Sequence, residues 1–187
     1  MVAIPVQKVS NNMKLEYKND VWTIVEFAHN KPGKGGAFVR IRIKSLTTGR
    51  VLEENFRASE RVEQTDVAYR KMAYLYNDGS SYVFMDNDTY EQVPVAPELI
   101  GNQAKFLLEN LEITALIWRD RIIAVELPTK VDMRVVATTQ ADRGNTATNV
   151  TKAATLESGF VAQVPLFINT GDVVRIDTRD GSYETRV

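Results

Sequence analysis

The residues with most chemical potential lie together in His29-Asn30-Lys31-Pro32-Gly33-Lys34-Gly35-Gly36. Lys34 has glycine on both sides, so nothing crowds it. Pro32 fixes its own φ and drives Lys31 toward extended backbone. Gly33, Gly35 and Gly36 admit positive φ and leave the main chain bare. Such a loop is narrow, and its only long side chains are Lys31 and Lys34. It suits a lysine that must enter a tight site on another molecule.

Two common uses of a lysine do not fit. A phosphate-binding P-loop needs GxxxxGK[ST], a following helix and a hydroxyl for magnesium. Here Gly35 follows Lys34, and a strand pattern follows the loop. A Schiff-base lysine needs burial or a cationic neighbour to lower its pKa, which a loop tip open to solvent does not offer. The chain has no cysteine, which removes disulfides, thiolate zinc sites and a cysteine nucleophile. His29 is the only histidine, so neither a histidine metal cluster nor a serine–histidine–aspartate triad is expected. Asp86-Asn87-Asp88 opens like a calcium loop but lacks the glycine and terminal glutamate, and reads as a turn. Glu53-Glu54 and Glu109/Glu112 show no acid–base partner pattern and read as surface charge. The expectation is no metal, no cofactor, no catalytic residue and no enzymatic activity.

Two strands must hold the lysine loop. Val21–Phe27 precedes it and Ala37–Lys44 follows it, which together read as a hairpin. In the second strand Val39, Ile41 and Ile43 point one way, and Phe38, Arg40, Arg42 and Lys44 point the other. The basic side of Arg40, Arg42 and Lys44 is either a solvated face or a surface that tracks phosphates, since Arg and Lys contact a nucleic-acid backbone without sequence choice. Charge distribution bears on that choice. Residues 1–64 carry 11 Lys/Arg and 7 Asp/Glu, a net of +4, whereas residues 65–128 carry 5 and 10, a net of −5. Residues 129–187 balance at 7 and 7. The first third is therefore the part expected to meet a polyanion.

The remainder reads as short strands between turn signals. Glu16 to Asp20 holds a polar turn, Thr47-Thr48-Gly49-Arg50 another, and Val51–Phe56 a strand. Ala58–Gln64 is polar, lacks a strand pattern, and places a boundary after residue 64. In the middle third Tyr69–Tyr76, Ser81–Met85 and Thr89–Val95 read as strands, with Asn77-Asp78-Gly79-Ser80 as a turn. Asn102–Leu111 reads as the one helix, with Gly101-Asn102 as its start. Ile113–Trp118, the Arg119-Asp120 turn and Arg121–Leu127 complete a hairpin, and Pro128 marks a second boundary. Tyr74, Tyr76, Tyr82, Phe84 and Tyr90 are either base-stacking residues or, preferably at strand spacing, barrel core. Several short strands with one short helix fit a five-stranded oligonucleotide-binding (OB) barrel. The last third repeats this grammar, with strands at Val131–Thr138, Gly159–Ile168, Val173–Asp177 and Ser182–Arg186 around a polar loop over 141–149. Domains are expected at 1–64, 65–128 and 129–187. The N-terminus has no basic region followed by an apolar core, and no segment is apolar enough to span a bilayer. A cytoplasmic protein without a membrane partner is expected.

At the lysine loop the sequence resembles the bacterial translation elongation factor P family, counterpart of the hypusine-bearing eukaryotic initiation factor. Three groups of residues carry the resemblance. They are Glu26-Phe27 with Lys31 to Phe38, then Tyr74 to Gly79 with Phe84 to Gln92, and finally Lys152-Ala153-Ala154, Gly159, Val164 to Ile168 and Val174 to Tyr183. The resemblance implies an all-β chain of three consecutive small barrels, one SH3-like or KOW-like and two OB-fold, in an elongated tRNA-like shape. It implies a monomer that binds both ribosomal subunits beside the peptidyl-tRNA and stimulates peptide-bond formation at consecutive prolines. Lys34 matches the tip residue that a lysine-modifying enzyme extends and that steadies the tRNA CCA end. Tyr183 and Arg186 match the end facing the small subunit, and Gly144-Asn145-Thr146 a loop directed at the codon. That loop more commonly reads Gly-Asp-Thr, and Ala162 stands where a larger aliphatic residue is usual. The alternative from another class is a general single-stranded nucleic-acid-binding OB-fold protein, against which the acidic middle third argues.

Overall fold

The computed structural model describes residues 2–30, 36–138 and 150–187. Strands dominate them. In order they are β1 (Val2–Pro5), β2 (Lys14–Tyr17), β3 (Asp20–Asn30), β4 (Phe38–Ser45), β5 (Val51–Arg57), β6 (Arg61–Gln64), β7 (Ala68–Asn77) and β8 (Tyr82–Asp86). Then come β9 (Gln92–Val95), β10 (Glu112–Trp118), β11 (Arg121–Glu126), β12 (Lys130–Thr138), β13 (Thr151–Leu156), β14 (Val161–Pro165), β15 (Val173–Asp177) and β16 (Tyr183–Arg186). Among the described residues, helix is confined to the four-residue α1 (Pro97–Ile100) and two 3-10 segments, Val6–Lys8 and Gly101–Phe106.

The strands form three sheets, ordered β1-β6-β2-β3-β4-β5, β11-β10-β7-β8-β9 and β14-β13-β12-β15-β16. The second and third share one topology: in each, the first strand lies between the second and the fourth, with the third and fifth at the edges. That is the arrangement expected of OB sheets, and it confirms the all-β reading for both later thirds. In each case the first strand is bulged. β7 slips register between Tyr74 and Tyr76, and β12 between Val135 and Ala137. β12 pairs with β15 over Lys130–Arg134 and with β13 from Val135 onward, so the bulge falls where the strand changes partners. Bulges bend and twist a strand, which is what curling a short sheet around a core requires.

By contact density the chain divides into two units, 1–70 with 115–124, and 71–114 with 125–187. In the first, Val6, Leu15, Trp22, Ile24, Val39, Ile41, Ile43 and Val62 form the main core. A second cluster gathers Val21, Leu116 and Ile123, flanked by Leu46, Val67 and Trp118. The Trp118 indole N–H donates to the Thr65 hydroxyl at 2.9 Å. In the second unit Phe106 lies in the core of Met133, Val135, Leu156, Val164, Ile168, Val174 and Ile176. Its ring meets Phe160 edge-on at 5.1 Å, and the Lys105 ammonium lies 4.9 Å and 4.8 Å from the two ring centroids. Ala162, the small residue in the usual place of a larger one, is buried in that core.

Several expectations need correction. Asn102–Leu111 is not a helix: Gly101–Phe106 is 3-10, Leu107 is extended at φ −72° and ψ 126°, and Asn110 has φ 65°. Phe106, Leu107 and Leu111 do face apolar surroundings, so helix-like spacing arose from an irregular segment that buries its side chains. Ala58–Gln64 is not strandless, because β6 pairs with both β1 and β2. Its alternation is visible only through Val62, the one apolar residue in Arg61–Gln64. β13 was likewise hidden, since its centre is Ala153-Ala154, without the aromatic or large β-branched bulk that marks strands. Thr89–Val95 begins as a turn, with Tyr90 at φ 59°, and pairing starts only at Gln92. Pro94 lies within that strand. Of the five middle aromatics Phe84 is fully buried, whereas Tyr76 and Tyr90 are 49% and 73% exposed and are not core.

Gly181 shows where glycine is indispensable. Its φ is +80°, and a Cβ there would lie 2.8 Å from the Phe160 ring. Gly181→Ala combines left-handed strain with a clash and is expected to cost about 1–3 kcal/mol. Urea unfolding should show it as a lower midpoint with an unchanged slope.

Candidate nucleic-acid interface

The lysine-bearing hairpin is anchored at its far end. The Asp20 carboxylate accepts from the Val21 N–H at 2.7 Å, the Thr47 hydroxyl at 2.8 Å and the Ser45 hydroxyl at 2.7 Å. Ser45 is buried, and its Oγ also accepts the Thr48 N–H at 2.9 Å. One carboxylate thus ties the start of β3 to the end of β4 and to the turn beyond. From there β3 and β4 pair without a break in their antiparallel run up to Asn30↔Phe38, apart from one bulge. Lys31, Pro32, Gly33, Lys34 and Gly35 lie outside the described residues; Gly36 is described, and a Cβ on it would meet nothing within 4 Å.

The bulge decides what faces where. Ile24 pairs with Ile43 but Glu26 pairs with Arg42, so Val25 is the extra residue. Trp22 and Ile24 face the core before it. Strict alternation would then send Glu26 and Ala28 inward. The inserted residue reverses this, and Phe27 packs on the core instead. Glu26 and Ala28 come to the outer face, opposite Arg42 and Arg40.

On that face β4 presents Phe38, Arg40, Arg42 and Lys44, as its burial pattern requires. β5 contributes Arg57, Asn55, Glu53 and Val51, opposite them in that order. Arg42 therefore sits between Glu26 on one side and Glu53 on the other. Glu53 also reaches diagonally to Arg40, Oε1 to Nε at 3.4 Å. An open groove runs between Glu26, Phe27, Ala28, Arg40, Arg42 and Glu53. A second groove, at the root of the lysine loop, is lined by His29, Asn30, Ala37 and Phe38 with Gln7 and Ala58. The structure thus brings Arg40, Arg42 and Lys44 together. It adds Arg57, Glu26 and Glu53, which the sequence reading missed. Alternation along Val51–Arg57 could have placed Glu53 and Arg57 there, but the bulge that turns Glu26 outward has no sequence signature.

In the second unit Tyr183 is half-buried against the core, and Arg186 is exposed. The Arg186 guanidinium lies 3.7 Å from the Asp172 carboxylate and 5.8 Å from the centroid of the exposed Phe167 ring. In the turn between β15 and β16, Arg179 binds Asp177 through its side chain and its backbone N–H, which holds that carboxyl down at about 2. Arg175 donates to both oxygens of Asp132 at 2.7 and 2.8 Å and lowers its pKa as well. Gly144, Asn145 and Thr146 lie outside the described residues. No helix among the described residues is long and apolar enough to cross a membrane.

Small antiparallel sheets, with a basic outer face on one hairpin, are features that nucleic-acid-binding modules share. Residues 6–62 match the Elongation factor P (EF-P) KOW-like domain, 67–125 the Elongation factor P (EF-P) OB domain, and 131–186 the Elongation factor P C-terminal family. The chain is 51% identical over 190 residues to elongation factor P of Chloroflexus aggregans, with all of both chains covered. It is 46% identical over 183 residues to that of Symbiobacterium thermophilum, covering 98% of this chain and 99% of the relative. In fold it is similar to initiation factor 5A from Methanococcus jannaschii, at TM-score 0.50 and 24% identity, covering 66% of this chain and 95% of that one. A Naegleria fowleri protein of the same factor family gives TM-score 0.55 at 14% identity, covering 67% and 98%. The chain belongs to the elongation factor P family and is a translation elongation factor.

The lowered carboxyls of Asp132 and Asp177 make a pH prediction. Each is deprotonated in the folded state at a pH where the unfolded carboxyl, near 4, would bind a proton. Their stabilisation is present above about pH 4 and is lost at lower pH, for Asp177 as pH falls toward 2. Acid titration of the far-ultraviolet circular dichroism should show a limb in that window. It should flatten in Asp177→Asn.

Proposed function

We propose that this factor binds the ribosome beside the peptidyl-tRNA and stimulates peptide-bond formation at consecutive prolines, with Lys34 as its working tip. The observation that supports this reading is the β3–β4 ladder, interrupted only by the Val25 bulge, which runs from the Asp20–Ser45 anchor to Asn30↔Phe38, directly flanking residues 31–35. The β3–β4 hairpin is tied down at its base and flanked by β5 along its length, and its connection carries one glycine-flanked lysine. Such an arm positions a cation without performing chemistry. Lys34 steadies the CCA end of the tRNA so that a constrained prolyl reactant is held in reacting geometry, an effect of orientation and entropy. The factor is not itself an enzyme. A lysine-modifying enzyme extends Lys34, and the longer side chain reaches further. Arg40, Arg42 and Lys44 contact the RNA backbone, while Gly144, Asn145, Thr146, Tyr183 and Arg186 lie toward the small subunit and codon. The protein acts as a cytoplasmic monomer of three domains, 1–64, 65–128 and 129–187.

In cells lacking the native factor, a reporter with consecutive prolines should be rescued by the wild-type chain and not by Lys34→Ala. Both proteins should unfold at the same temperature. Full rescue by the alanine variant would refute the role of the tip. Mass spectrometry of the Lys34 peptide from native cells should show a mass above that of unmodified lysine.

A further inference from the structure

The basic face of the hairpin is not simply basic. Across β3, β4 and β5 one row reads Glu26, Arg42, Glu53, with acid on either side of the arginine. Directly opposed side chains in an antiparallel sheet lie about 4.5–5.5 Å apart at Cβ, close enough for opposite charges to interact. Glu53 is shared, since it also pairs with Arg40 at 3.4 Å. Arg57 and Lys44, at the two ends of the face, stand opposite Phe38 and Val51 on the β4–β5 ladder, so no acid faces them there. Four cations and two carboxylates leave a small surplus of positive charge, concentrated away from the middle. A surface selected only for phosphate affinity would place no carboxylate beside its central arginine. The Val25 bulge is what brings Glu26 there, since strict alternation would have turned it inward.

We propose that Glu26 and Glu53 are specificity residues of this face: they suppress binding to free RNA by occupying Arg40 and Arg42. This rests on the reading that the face meets an RNA backbone. Phosphates then engage the arginines only when the rest of the assembly has already placed them, because Arg40 must release the Glu53 carboxylate 3.4 Å away and Arg42 stands between two cross-strand carboxylates. An RNA diffusing freely has no such help. Weak affinity for bulk RNA follows without loss of contacts in the assembled complex. The device is needed because phosphate contacts carry no sequence information, so cations alone would bind every RNA in the cell.

The test measures anisotropy of a fluorescein-labelled oligouridine and of a labelled RNA duplex with the full-length, natively modified protein across a salt series. Glu26→Gln/Glu53→Gln keeps the shapes and removes the charges. It should bind both probes at least about tenfold more tightly at low salt, with a salt slope steeper by about 0.7–0.9 per phosphate gained. Added bulk RNA should then inhibit the variant more than the wild type in the proline-dependent assay. Unchanged or weaker binding of free RNA by the variant overturns the proposal; weaker binding would make the carboxylates ligands of the partner. If the double variant unfolds, Glu26→Gln alone leaves the Arg40–Glu53 pair intact and should shift binding in the same direction. Arg42→Gln tests the underlying reading separately: if it leaves ribosomal stimulation unchanged, the face does not meet RNA at all, whatever the glutamates do.

Discussion

Register along the β3–β4 ladder is the constraint on which the rest of the first unit depends. Period-2 geometry means that one residue of slip exchanges the two faces of a strand. β3 uses this deliberately at Val25. Its first half supplies Trp22 and Ile24 to the core, and its second half supplies Phe27 to the same core from positions of the opposite parity. The strand is 11 residues long and would diverge from the core without such a correction, because a twisted strand cannot follow a small barrel over that length. The bulge keeps the arm on the barrel and simultaneously chooses its outer surface. Core packing and surface charge are thus set by one inserted residue. The Asp20 carboxylate closes the other end, where three hydrogen bonds leave the base of the arm no freedom to shift register.

The tight hairpins show a second economy. Lys18-Asn19 and Arg119-Asp120 both have positive φ throughout, the geometry that matches strand twist in two-residue turns. Neither contains glycine, so each strains a long basic residue by roughly 1 kcal/mol or more. Both residues are braced in the same way. The Lys18 ammonium bonds Glu54 at 2.8 Å and lies 4.9 Å from the Tyr17 ring centroid. The Arg119 guanidinium bonds both oxygens of Glu16 and stacks over Trp118 at 4.4 Å. A carboxylate and an aromatic ring offset what a glycine would have avoided. Because Glu16 belongs to β2, the brace at Arg119 also ties residues 115–124 to the first sheet, alongside the Trp118–Thr65 bond. A sheet of some sixty residues buries little on its own, and borrowing Leu116, Trp118 and Ile123 enlarges its apolar contact. Phe106 performs the same service for the second unit.

What the sequence made legible follows from this physics. Strands with one wet face and one dry face were readable, because alternation of Val and Ile with Arg and Lys leaves a plain signal, as in Phe38–Ser45. Turns that need Asn, Asp or Gly were readable as well. β6 and β13 were not, since one has a single apolar residue and the other is centred on two alanines, and β6 exists through pairing with the distant β1 and β2. The helix over 102–111 was a misreading of burial as periodicity: Phe106 and Leu111 are covered by the core, but the backbone between them turns irregularly. The candidate surface was half legible. Arg40, Arg42 and Lys44 could be placed from one strand alone, whereas Glu26 and Glu53 required two neighbouring registers and a bulge.

That difference bears on how charge should be weighed. Counted along the chain, residues 1–64 are net positive, which invites the picture of a uniformly attractive surface. Counted across the sheet, the centre of the same surface is a row of alternating sign. Net charge acts at distances comparable to the Debye length, about 8 Å at physiological salt, and steers encounter. Neighbouring pairs act within contact distance and decide what stays bound. A positive unit with an internally compensated face therefore attracts polyanions from afar yet holds them loosely on contact. On the proposed reading, dwell time then depends on whether the lysine loop finds its own site, since the face alone retains little. Selectivity in such a protein resides in the geometry of the complete arm rather than in the number of its cations.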